Sequence, residues 1–328
     1  MQPSTATAYW IVAPRRGELR EAALPAPGAG EVLVETLYGA ISRGTESLVF
    51  NNQVPESQYE LMAAPFQEGS FPYPVKYGYI SVGKVREGPP ALHGRCVFCL
   101  HPHQTSYVVP AESVVPLPGG LPPERAVLGA NMETALNALW DASPCIGDRI
   151  AVFGAGTVGF LVAWLASAIP GTEVTLVDPD SSKRAFAERL GLVMKTPEDA
   201  PAECDIVVHA SGVPAGLAMA LASAGYEATV LEMSWFGDRE VPLPLGEAFH
   251  SRRITLRSSQ VGGISPARRA RKDHRRRMEI ALDLLRAEAL DCLITGESAF
   301  RDLPEVMQRL ADSGQGVLCH RLRYECDR

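Results

Sequence analysis

The sequence has no long apolar segment, no regular cysteine framework and no excess of basic residues. Its longest apolar run, from Val158 to Ile169, is shorter than the ~20 residues that a membrane-spanning helix needs. The seven cysteines are odd in number and scattered, which favours a reducing compartment over a disulfide scaffold. The net charge of -7 argues against nucleic acid as the main partner, because phosphate binding needs a basic surface. We therefore expect a cytoplasmic protein with neither a membrane nor a nucleic-acid partner.

The composition that is present belongs to a globular chain long enough for two domains. The 328 residues are 46% hydrophobic and 21% charged, and the first 17 lack the charged start and apolar core of a signal peptide. The first third has the texture of short strands, since Glu31 to Tyr38 alternates apolar and polar residues and glycine and proline punctuate the rest. From Arg149 onward strands alternate with helices, which predicts a parallel sheet with right-handed crossovers.

Several boundaries are predicted from local patterns. A helix is expected from Arg125 to Asp141, a strand from Tyr79 to Glu87, and another strand from Glu227 to Trp235. Ser181 or Ser182 is the expected cap of the helix that follows the strand from Val174 to Val177.

A glycine-rich turn lies between the first of the alternating strands and the following helix. Gly154, Gly156 and Gly159 form a G-x-G-x-x-G motif whose other positions include Thr157 and Val158. The strand before it and the helix after it are the setting in which this motif binds a dinucleotide. The first glycine allows the tight turn, the second lets the backbone approach the pyrophosphate, and the third lets helix and strand pack closely. We expect these five residues to contact a cofactor.

The second strand of this region ends in an acidic residue that bears on the choice of cofactor. Asp178 follows Gly159 by 19 residues and can accept hydrogen bonds from the hydroxyls of the adenosine ribose. A carboxylate at this point repels a 2′-phosphate, so the sequence favours NAD over NADP. The positive charges of Lys183 and Arg184 lie nearby and would attract a 2′-phosphate, which weakens the preference for NAD.

Four segments carry a resemblance to a known family: Glu31 to Val34, Thr134 to Leu139, Gly147 to Ile150, and Asp205 to Gly212. In their order along the chain they resemble the zinc-type alcohol dehydrogenase-like proteins of the medium-chain dehydrogenase/reductase superfamily. The resemblance implies an α/β fold with two domains. Residues 1–122, completed by 288–328, would form a GroES-like β-rich catalytic domain, and residues 123–287 a Rossmann domain with a doubly wound parallel sheet. It also implies a homodimer that binds a small-molecule substrate, with Ser211 and Gly212 beside the cofactor.

The chain departs from its zinc-containing relatives at the metal site. Ser42 stands where the resemblance leads one to expect the first ligand, a cysteine, and Tyr79 and Ile80 replace a His-Glu pair. Zinc prefers nitrogen, thiolate or carboxylate ligands, so we expect no catalytic zinc. Glu46 and Glu133 could form another metal site, but no third metal ligand stands at a suitable spacing from them. Cys96 and Cys99 have the spacing of a metal-binding C-x-x-C pair. They would lie on opposite faces of a strand, however, so we do not expect them to bind one metal ion together.

Three short segments resemble a zinc-less branch of the superfamily, namely Ile41 to Glu46, Pro74 to Tyr79 and Ala248 to Arg253. The best-known relatives in that branch oxidise the hydroxyethyl group of a bacteriochlorophyllide. The resemblance therefore implies oxidation of a secondary alcohol or reduction of a ketone, without naming the substrate.

Without a metal, side chains must stabilise the alkoxide and move its proton. Thr45 stands near the position at which relatives keep a Ser or Thr hydroxyl that passes on the substrate proton. Tyr79 either points at the reacting carbon or fills the vacated metal site. His103 or His101 is a candidate acid/base or a structural loop residue, and Glu133 is a further polar candidate.

Other candidates surround this group. Arg43 is expected to contact the cofactor pyrophosphate, or else to pair with Glu46. Lys76 either lines the substrate pocket or is solvated. Ser42, Glu46, His101 and Trp235 are the remaining expected substrate contacts. The basic run from Arg268 to Arg277 is read as a solvated helix start, or as an attractant for an acidic substrate.

Three functions compete. The leading one is zinc-independent hydride transfer between NAD(H) and a secondary alcohol or ketone. The second is reduction of an activated carbon–carbon double bond in a quinone or enone, against which Asp178 weighs. The third, of another class, is a cofactor-binding sensor or structural protein without catalysis.

Overall fold

The computed structural model describes residues 5–313 and 316–325; Cys326, counted above, lies outside this range. In chain order the strands are β1 (Thr5–Ala13), β2 (Arg16–Ala23), β3 (Glu31–Ile41), β4 (Glu68–Gly69), β5 (Val75–Lys76), β6 (Ser81–Glu87), β7 (Cys96–Cys99), β8 (Ser106–Pro110), β9 (Val114–Pro116), β10 (Arg149–Phe153), β11 (Glu173–Val177), β12 (Val193–Lys195), β13 (Cys204–His209), β14 (Ala224–Glu232), β15 (Thr255–Ser258), β16 (Ile294–Ala299) and β17 (Cys319–Arg323).

The α-helices are α1 (Arg43–Phe50), α2 (Pro123–Ala126), α3 (Gly129–Ala142), α4 (Thr157–Ser167), α5 (Arg184–Arg189), α6 (Pro214–Ser223), α7 (His274–Leu284) and α8 (Leu303–Ser313). Among the described residues, no helix is long and apolar enough to cross a membrane. By their internal contacts the residues fall into two compact units, one from 1–130 and 282–328 and the other from 131–281. They are called unit 1 and unit 2 below.

Unit 1 is built on antiparallel pairing. Its larger sheet has the strand order β16-β17-β3-β6-β7-β9, with β8 paired to β3, and a smaller sheet has the order β2-β1-β5-β4. In β3 every second side chain from Val32 to Thr36 is buried, as the alternation in the sequence predicted. Valines of several strands, with Cys99 and Tyr107, form one buried cluster beneath this sheet.

A buried arginine joins the two chain segments of unit 1. The Arg125 guanidinium donates to both carboxylate oxygens of Asp291, at 2.7 and 2.8 Å. It also donates to the carbonyl oxygens of Leu285 and Arg286. The place where the chain leaves unit 1 is thereby fastened to the place where it returns.

Unit 2 is a six-stranded parallel sheet in the order β12-β11-β10-β13-β14-β15. The strand order reverses between β10 and β13, which is the arrangement of a doubly wound Rossmann sheet. In β10 the four residues from Ile150 to Phe153 are buried, as expected of a strand covered on both faces. The predicted fold, a GroES-like β-rich domain with a Rossmann domain, is confirmed.

Some predicted boundaries are wrong for local reasons. The helix expected from Arg125 to Asp141 is interrupted after Ala126 and resumes at Gly129. A Cβ atom at Gly129 would lie 2.7 Å from Cε2 of Phe98, so a poor helix former is kept there to admit the ring. The helix after β11 is capped by Asp180, whose Oδ1 accepts from the Ser182 amide at 3.1 Å, and not by either serine.

Two strands also differ in extent from their predictions. β6 begins at Ser81, so Tyr79 precedes the strand, and β14 ends at Glu232, so Trp235 lies three residues beyond it on a loop. The strand β6 thus begins two residues later, and β14 ends three residues earlier, than the hydrophobic pattern suggests.

Candidate functional site

The glycine-rich turn of unit 2 has the geometry that its sequence predicted. Gly154 has φ of +105°, and a Cβ atom there would lie 2.7 Å from the Ser211 backbone. At Gly159 a Cβ atom would lie 1.9 Å from the Gly154 carbonyl oxygen. Gly156 has open space around it and precedes the first turn of α4, where backbone amides face outward. These close approaches explain why glycine stands at Gly154 and Gly159, and the cofactor contacts of Gly154, Gly156, Thr157, Val158 and Gly159 stay predictions.

Alanine substitutions at two of these glycines are expected to have different effects. Gly159→Ala forces a methyl group into the backbone of the turn and should lower the free energy of unfolding by about 1–3 kcal/mol. Gly156→Ala should leave stability unchanged, because nothing lies within 4 Å of its Cβ position, yet weaken dinucleotide binding. Thermal unfolding and calorimetry on both variants check this. Equal loss of stability in the two variants would contradict it.

Asp178 is held by three hydrogen bonds at the end of β11. Its Oδ2 accepts from the Ala155 amide at 2.8 Å and from Lys183 Nζ at 2.9 Å, and its Oδ1 accepts from the Asp180 amide at 2.9 Å. The carboxylate is 6% exposed. Asp178 is therefore fixed against the glycine-rich turn, with one positive charge directly beside it.

Ser211 and Gly212 follow β13, next to the strand that carries the glycine-rich turn. Ser211 Oγ lies 2.6 Å from Nε2 of His209, and Nδ1 of His209 lies 2.6 Å from Glu232 Oε2. The Gly212 amide donates to Ser234 Oγ at 3.0 Å. No sequence motif indicates His209 or Glu232, although both end parallel strands, which is where ligands bind in such sheets. Trp235 lies on the loop after β14 and is half-buried.

In unit 1, helix α1 gathers a group of hydroxyls. Ser42 immediately precedes the helix, and its amide donates to Glu46 Oε1 at 2.7 Å. Tyr79 is hydrogen-bonded to the side chains of Ser42 and Thr45. Burial and the Glu46 charge raise the pKa of Tyr79 to about 12, against the opposing effect of these two hydrogen bonds. The Tyr79 phenol is therefore neutral at physiological pH, and Ser42, Thr45 and Tyr79 form what we call the hydroxyl cluster.

Glu46 also binds a buried histidine. Its Oε2 lies 2.8 Å from His103 Nε2, and both side chains are almost fully buried. Nδ1 of His103 is buried without a hydrogen-bond partner in the described part of the chain, and so is the hydroxyl of Tyr9, whose ring meets the imidazole edge-on. Gly78 has φ of +123°, and a Cβ atom there would lie 2.7 Å from the imidazole. The structure thus joins Glu46, an expected substrate contact, to His103, a candidate acid/base, by a direct hydrogen bond that the sequence does not indicate.

His101 and Lys76 are tied into unit 1 by other contacts. His101 stacks on Tyr107 with ring centroids 3.7 Å apart, and its Nδ1–H donates to the Pro102 carbonyl at 2.9 Å. Burial lowers the pKa of His101 to about 3, so its imidazole is neutral. Lys76 Nζ is buried, donates to Gln104 Oε1 at 2.7 Å and pairs with Glu68. The reading of Lys76 as an ordinary solvated residue is therefore wrong.

Glu133 lies in α3 and is bound by an arginine of the basic run. Arg277 Nε donates to Glu133 Oε1 at 3.0 Å, and the same guanidinium donates to Asn137 and to the carbonyls of Val261 and Gly263. Arg277 is 1% exposed, so the solvated reading of the run is wrong at its last residue. Arg43 is the first residue of α1 and is half-buried.

The residues at the positions that resemble the zinc ligands do not fit that metal. Ile80 is 1% exposed and offers no donor, while Ser42 and Tyr79 offer neutral hydroxyls that bind each other. In residues 5–313 and 316–325, no group of three or more His, Cys, Asp or Glu side chains is arranged to hold a metal ion.

The comparisons with known proteins agree with this class of fold. No protein-family model matches the chain. It is 30% identical over 96 residues to 2-dehydro-3-deoxy-L-galactonate 5-dehydrogenase from Pseudoalteromonas atlantica, covering 29% of this chain and 28% of that protein. It is also 30% identical over 202 residues to 2-desacetyl-2-hydroxyethyl bacteriochlorophyllide A dehydrogenase from Cereibacter sphaeroides, covering 56% of this chain and 59% of that protein. The chain thus spans less than two thirds of these relatives.

Solved structures match over nearly the full length. A dehydrogenase structure from Sinorhizobium meliloti bound to NADP superposes with a TM-score of 0.78 at 18% identity, covering 98% of this chain and 99% of that one. An alcohol dehydrogenase from Escherichia coli complexed with NADH gives a TM-score of 0.77 at 17% identity, covering 98% and 99%. These relatives are zinc-type alcohol dehydrogenase-like members of the medium-chain dehydrogenase/reductase superfamily. The resemblance to that superfamily is confirmed, and the resemblance to its zinc-less branch stays a prediction.

Proposed function

We propose that the chain is a zinc-independent oxidoreductase that transfers a hydride between NAD(H) and a secondary alcohol or ketone of a small or medium-sized metabolite. The observation that carries the proposal is the hydroxyl cluster of Ser42, Thr45 and Tyr79 in the places that resemble a zinc site. The chain combines the glycine-rich turn of unit 2 with hydroxyl groups at these positions of unit 1. Hydroxyl groups can donate a hydrogen bond to an alkoxide and exchange its proton. The curated relatives, whose names are those of dehydrogenases, support the same reaction class.

Tyr79 is the residue proposed to act on the substrate oxygen. Its hydroxyl is hydrogen-bonded to the side chains of Ser42 and Thr45, and in the proposed arrangement these two hydroxyls donate to it, so that its own O–H donates to the substrate oxygen. A neutral phenol aimed at a carbonyl stabilises the negative charge that develops on that oxygen during reduction. Thr45 then lies one hydrogen bond away and offers a path for the proton.

Glu46 and His103 are proposed to support this group from behind. Glu46 holds the Ser42 amide with one oxygen and His103 with the other, which fixes the start of α1. Its negative charge also favours the protonated form of Tyr79. Both act by positioning and by charge, without contacting the reacting atoms.

The nicotinamide cofactor, when bound, supplies or accepts the hydride. The turn from Gly154 to Gly159 is proposed to hold its pyrophosphate, with Arg43 as a further phosphate contact, and Asp178 to accept from the adenosine ribose. Relatives have been solved with NADP and with NADH, so the choice in this chain depends on its own residues. Asp178 favours NAD, whereas Lys183, 2.9 Å from it, offsets part of that preference.

Removing Lys183 is expected to sharpen the preference for NADH. In Lys183→Ala the Asp178 carboxylate loses its neighbouring positive charge and repels a 2′-phosphate more strongly. The ratio of NADPH to NADH dissociation constants should rise about three- to tenfold, on the scale of a partly buried charge pair. Calorimetry with both cofactors measures it, with Arg189→Ala, which removes an exposed arginine at the end of α5, as a control. A ratio that falls would contradict the role given to Asp178.

Turnover with a panel of substrates tests the proposed reaction. Purified protein with NADH should reduce ketones and hydroxyketones, with no loss of rate after chelation and less than stoichiometric zinc by elemental analysis. Reduction of enones or quinones alone would favour double-bond reduction instead. Cofactor binding without turnover on any of them would favour a sensor. The homodimer and the cytoplasmic location stay predictions.

A further inference from the structure

A buried chain of hydrogen bonds in unit 2 ends at the Ser211 hydroxyl. His209 is the last residue of β13 and is fully buried, between Glu232 on one ring nitrogen and Ser211 on the other. The Phe236 ring stacks on the imidazole with an interplanar angle of 11°. We call Ser211, His209 and Glu232 the serine relay.

The relay fixes the direction in which the Ser211 hydroxyl points. We assign the imidazole proton of His209 to Nδ1, because Glu232 Oε2 lies 2.6 Å from it and a carboxylate oxygen accepts. Nε2 then has a lone pair that accepts the Ser211 hydroxyl proton at 2.6 Å. Ser211 Oγ also accepts from the Val213 amide at 3.1 Å. Its proton is therefore already used, and the hydroxyl can offer a ligand only a remaining lone pair.

The glycines around the relay leave room for it. A Cβ atom at Gly216 of α6 would lie 2.7 Å from Ser211 Oγ and 3.0 Å from His209 Nε2. A glycine inside a helix costs about 1 kcal/mol relative to alanine, so its presence fits a need for close approach at this point. Gly154 of the dinucleotide turn makes a similar approach to the Ser211 backbone.

The location of Ser211 identifies which part of a dinucleotide it would meet. It follows β13, on the other side of β10 from β11 and Asp178. Ligands of doubly wound sheets lie across this reversal of strand order, so the adenosine half lies toward Asp178 and the other half toward Ser211. A phosphate carries only acceptor oxygens at neutral pH and does not match an acceptor hydroxyl.

We propose that Ser211 is a specificity-determining acceptor for a hydrogen-bond donor on the nicotinamide half of the cofactor, and that His209 and Glu232 are its positioning residues. The donor is a hydroxyl of the nicotinamide-side ribose or the amino group of the carboxamide. The inference rests on the proposed function, because it assumes that the bound dinucleotide carries nicotinamide.

The same three residue types also occur in hydrolytic triads, but two amides near Ser211 are committed elsewhere. The Val213 amide donates to Ser211 Oγ itself, and the Gly212 amide donates to Ser234 Oγ. Neither of them can therefore stabilise an oxyanion, as acyl transfer from a serine requires. The relay is better suited to holding a hydroxyl than to activating it.

A series of three ligands of increasing size tests the proposal on the whole 328-residue chain. Calorimetry would compare ADP, ADP-ribose and NADH on the wild type, on Ser211→Ala and on Ser251→Ala, an exposed serine outside the relay. If the donor is a ribose hydroxyl, Ser211→Ala should bind ADP-ribose and NADH about two- to tenfold more weakly and ADP equally well. If the donor is the carboxamide, only NADH should weaken. Unchanged affinities for all three, or equal losses for all three, would overturn the proposal.

A double variant tests the positioning role separately. His209→Phe keeps an aromatic ring against Phe236 but leaves the Ser211 proton without its acceptor. His209→Phe with Ser211→Ala should then bind NADH no more weakly than Ser211→Ala alone. Additive losses would show that His209 acts independently of Ser211 and would overturn its role. A wild type that does not bind NADH would overturn the proposed function itself, whereas normal binding with an indifferent Ser211→Ala would overturn this inference alone.

Discussion

Replacing Tyr79 by phenylalanine is expected to lower kcat for ketone reduction by about 10²- to 10³-fold, the usual effect of removing one donor from a developing oxyanion. The substitution removes only the phenolic hydroxyl, which is hydrogen-bonded to Ser42 and Thr45 and is proposed to donate to the substrate oxygen. NADH affinity should not change, because the proposed role of Tyr79 is toward the substrate oxygen and not toward the cofactor. Steady-state kinetics with NADH and the best ketone of the panel measure the loss.

The pH dependence and a matched control sharpen this expectation. Since the pKa of Tyr79 is raised to about 12, its phenol stays protonated through the neutral range, and it loses the proton only as the pH approaches that value. The ratio of wild-type to variant rates should therefore be constant from about pH 6 to about pH 9. Tyr38→Phe, which removes a half-buried hydroxyl bound to Glu124, should keep its kcat. If Tyr79→Phe retains full turnover, Tyr79 only fills space in the site.

Replacing Arg277 by alanine is expected to destabilise unit 2 by about 3–5 kcal/mol, the scale found when one partner of a buried ion pair is removed. The variant leaves the Glu133 carboxylate buried with no opposing charge and frees the carbonyls of Val261 and Gly263. Denaturant unfolding measures the loss. Arg276→Ala, which removes an exposed arginine one residue away, should change stability by less than about 0.5 kcal/mol.

The destabilisation should also depend on pH. Burial raises the pKa of Glu133, and Arg277 partly offsets this effect. Without Arg277 the folded-state pKa rises further above the unfolded value, so the folded variant holds a proton that the unfolded chain releases. Stability of Arg277→Ala should then fall as pH rises through the range between these two pKa values. Adding Glu133→Gln should recover part of the lost stability and remove that pH dependence; a double variant as weak as Arg277→Ala would contradict the role of the charge.

The parts of the site that depend on neighbouring residues could be predicted from the sequence. The turn from Gly154 to Gly159 and the carboxylate of Asp178 belong to one strand-helix-strand unit, and local spacing defines them. The pairing of Glu46 with His103 joins residues 57 positions apart, and no spacing rule indicates it. Arg277 shows the same limit, since its neighbours in the basic run are exposed and only the packing of α7 on α3 distinguishes it.

The sequence contains one general signal for the importance of His209 and Glu232. Both are polar residues at the carboxyl ends of apolar parallel strands, where burial without a ligand or a partner is costly. The interruption between α2 and α3 carried no comparable signal, because the ring that requires Gly129 comes from β7. Long-range packing decided that boundary.

The return of the chain to unit 1 after unit 2 has a consequence for the order in which the strands can pair during synthesis. Synthesis delivers all of unit 2 before β16, β17 and α8, so the Rossmann sheet can form while the other unit is incomplete. Until β17 emerges, one edge of β3 is unpaired from Tyr38 to Ile41, the stretch that precedes the hydroxyl cluster, although Tyr38 and Gly39 pair with β6 on the other edge. An open strand edge invites pairing with other chains. On the ribosome this stretch therefore stays open to such pairing until β17 is made. The Arg125–Asp291 bond can form earlier, because Asp291 precedes β17 in the chain.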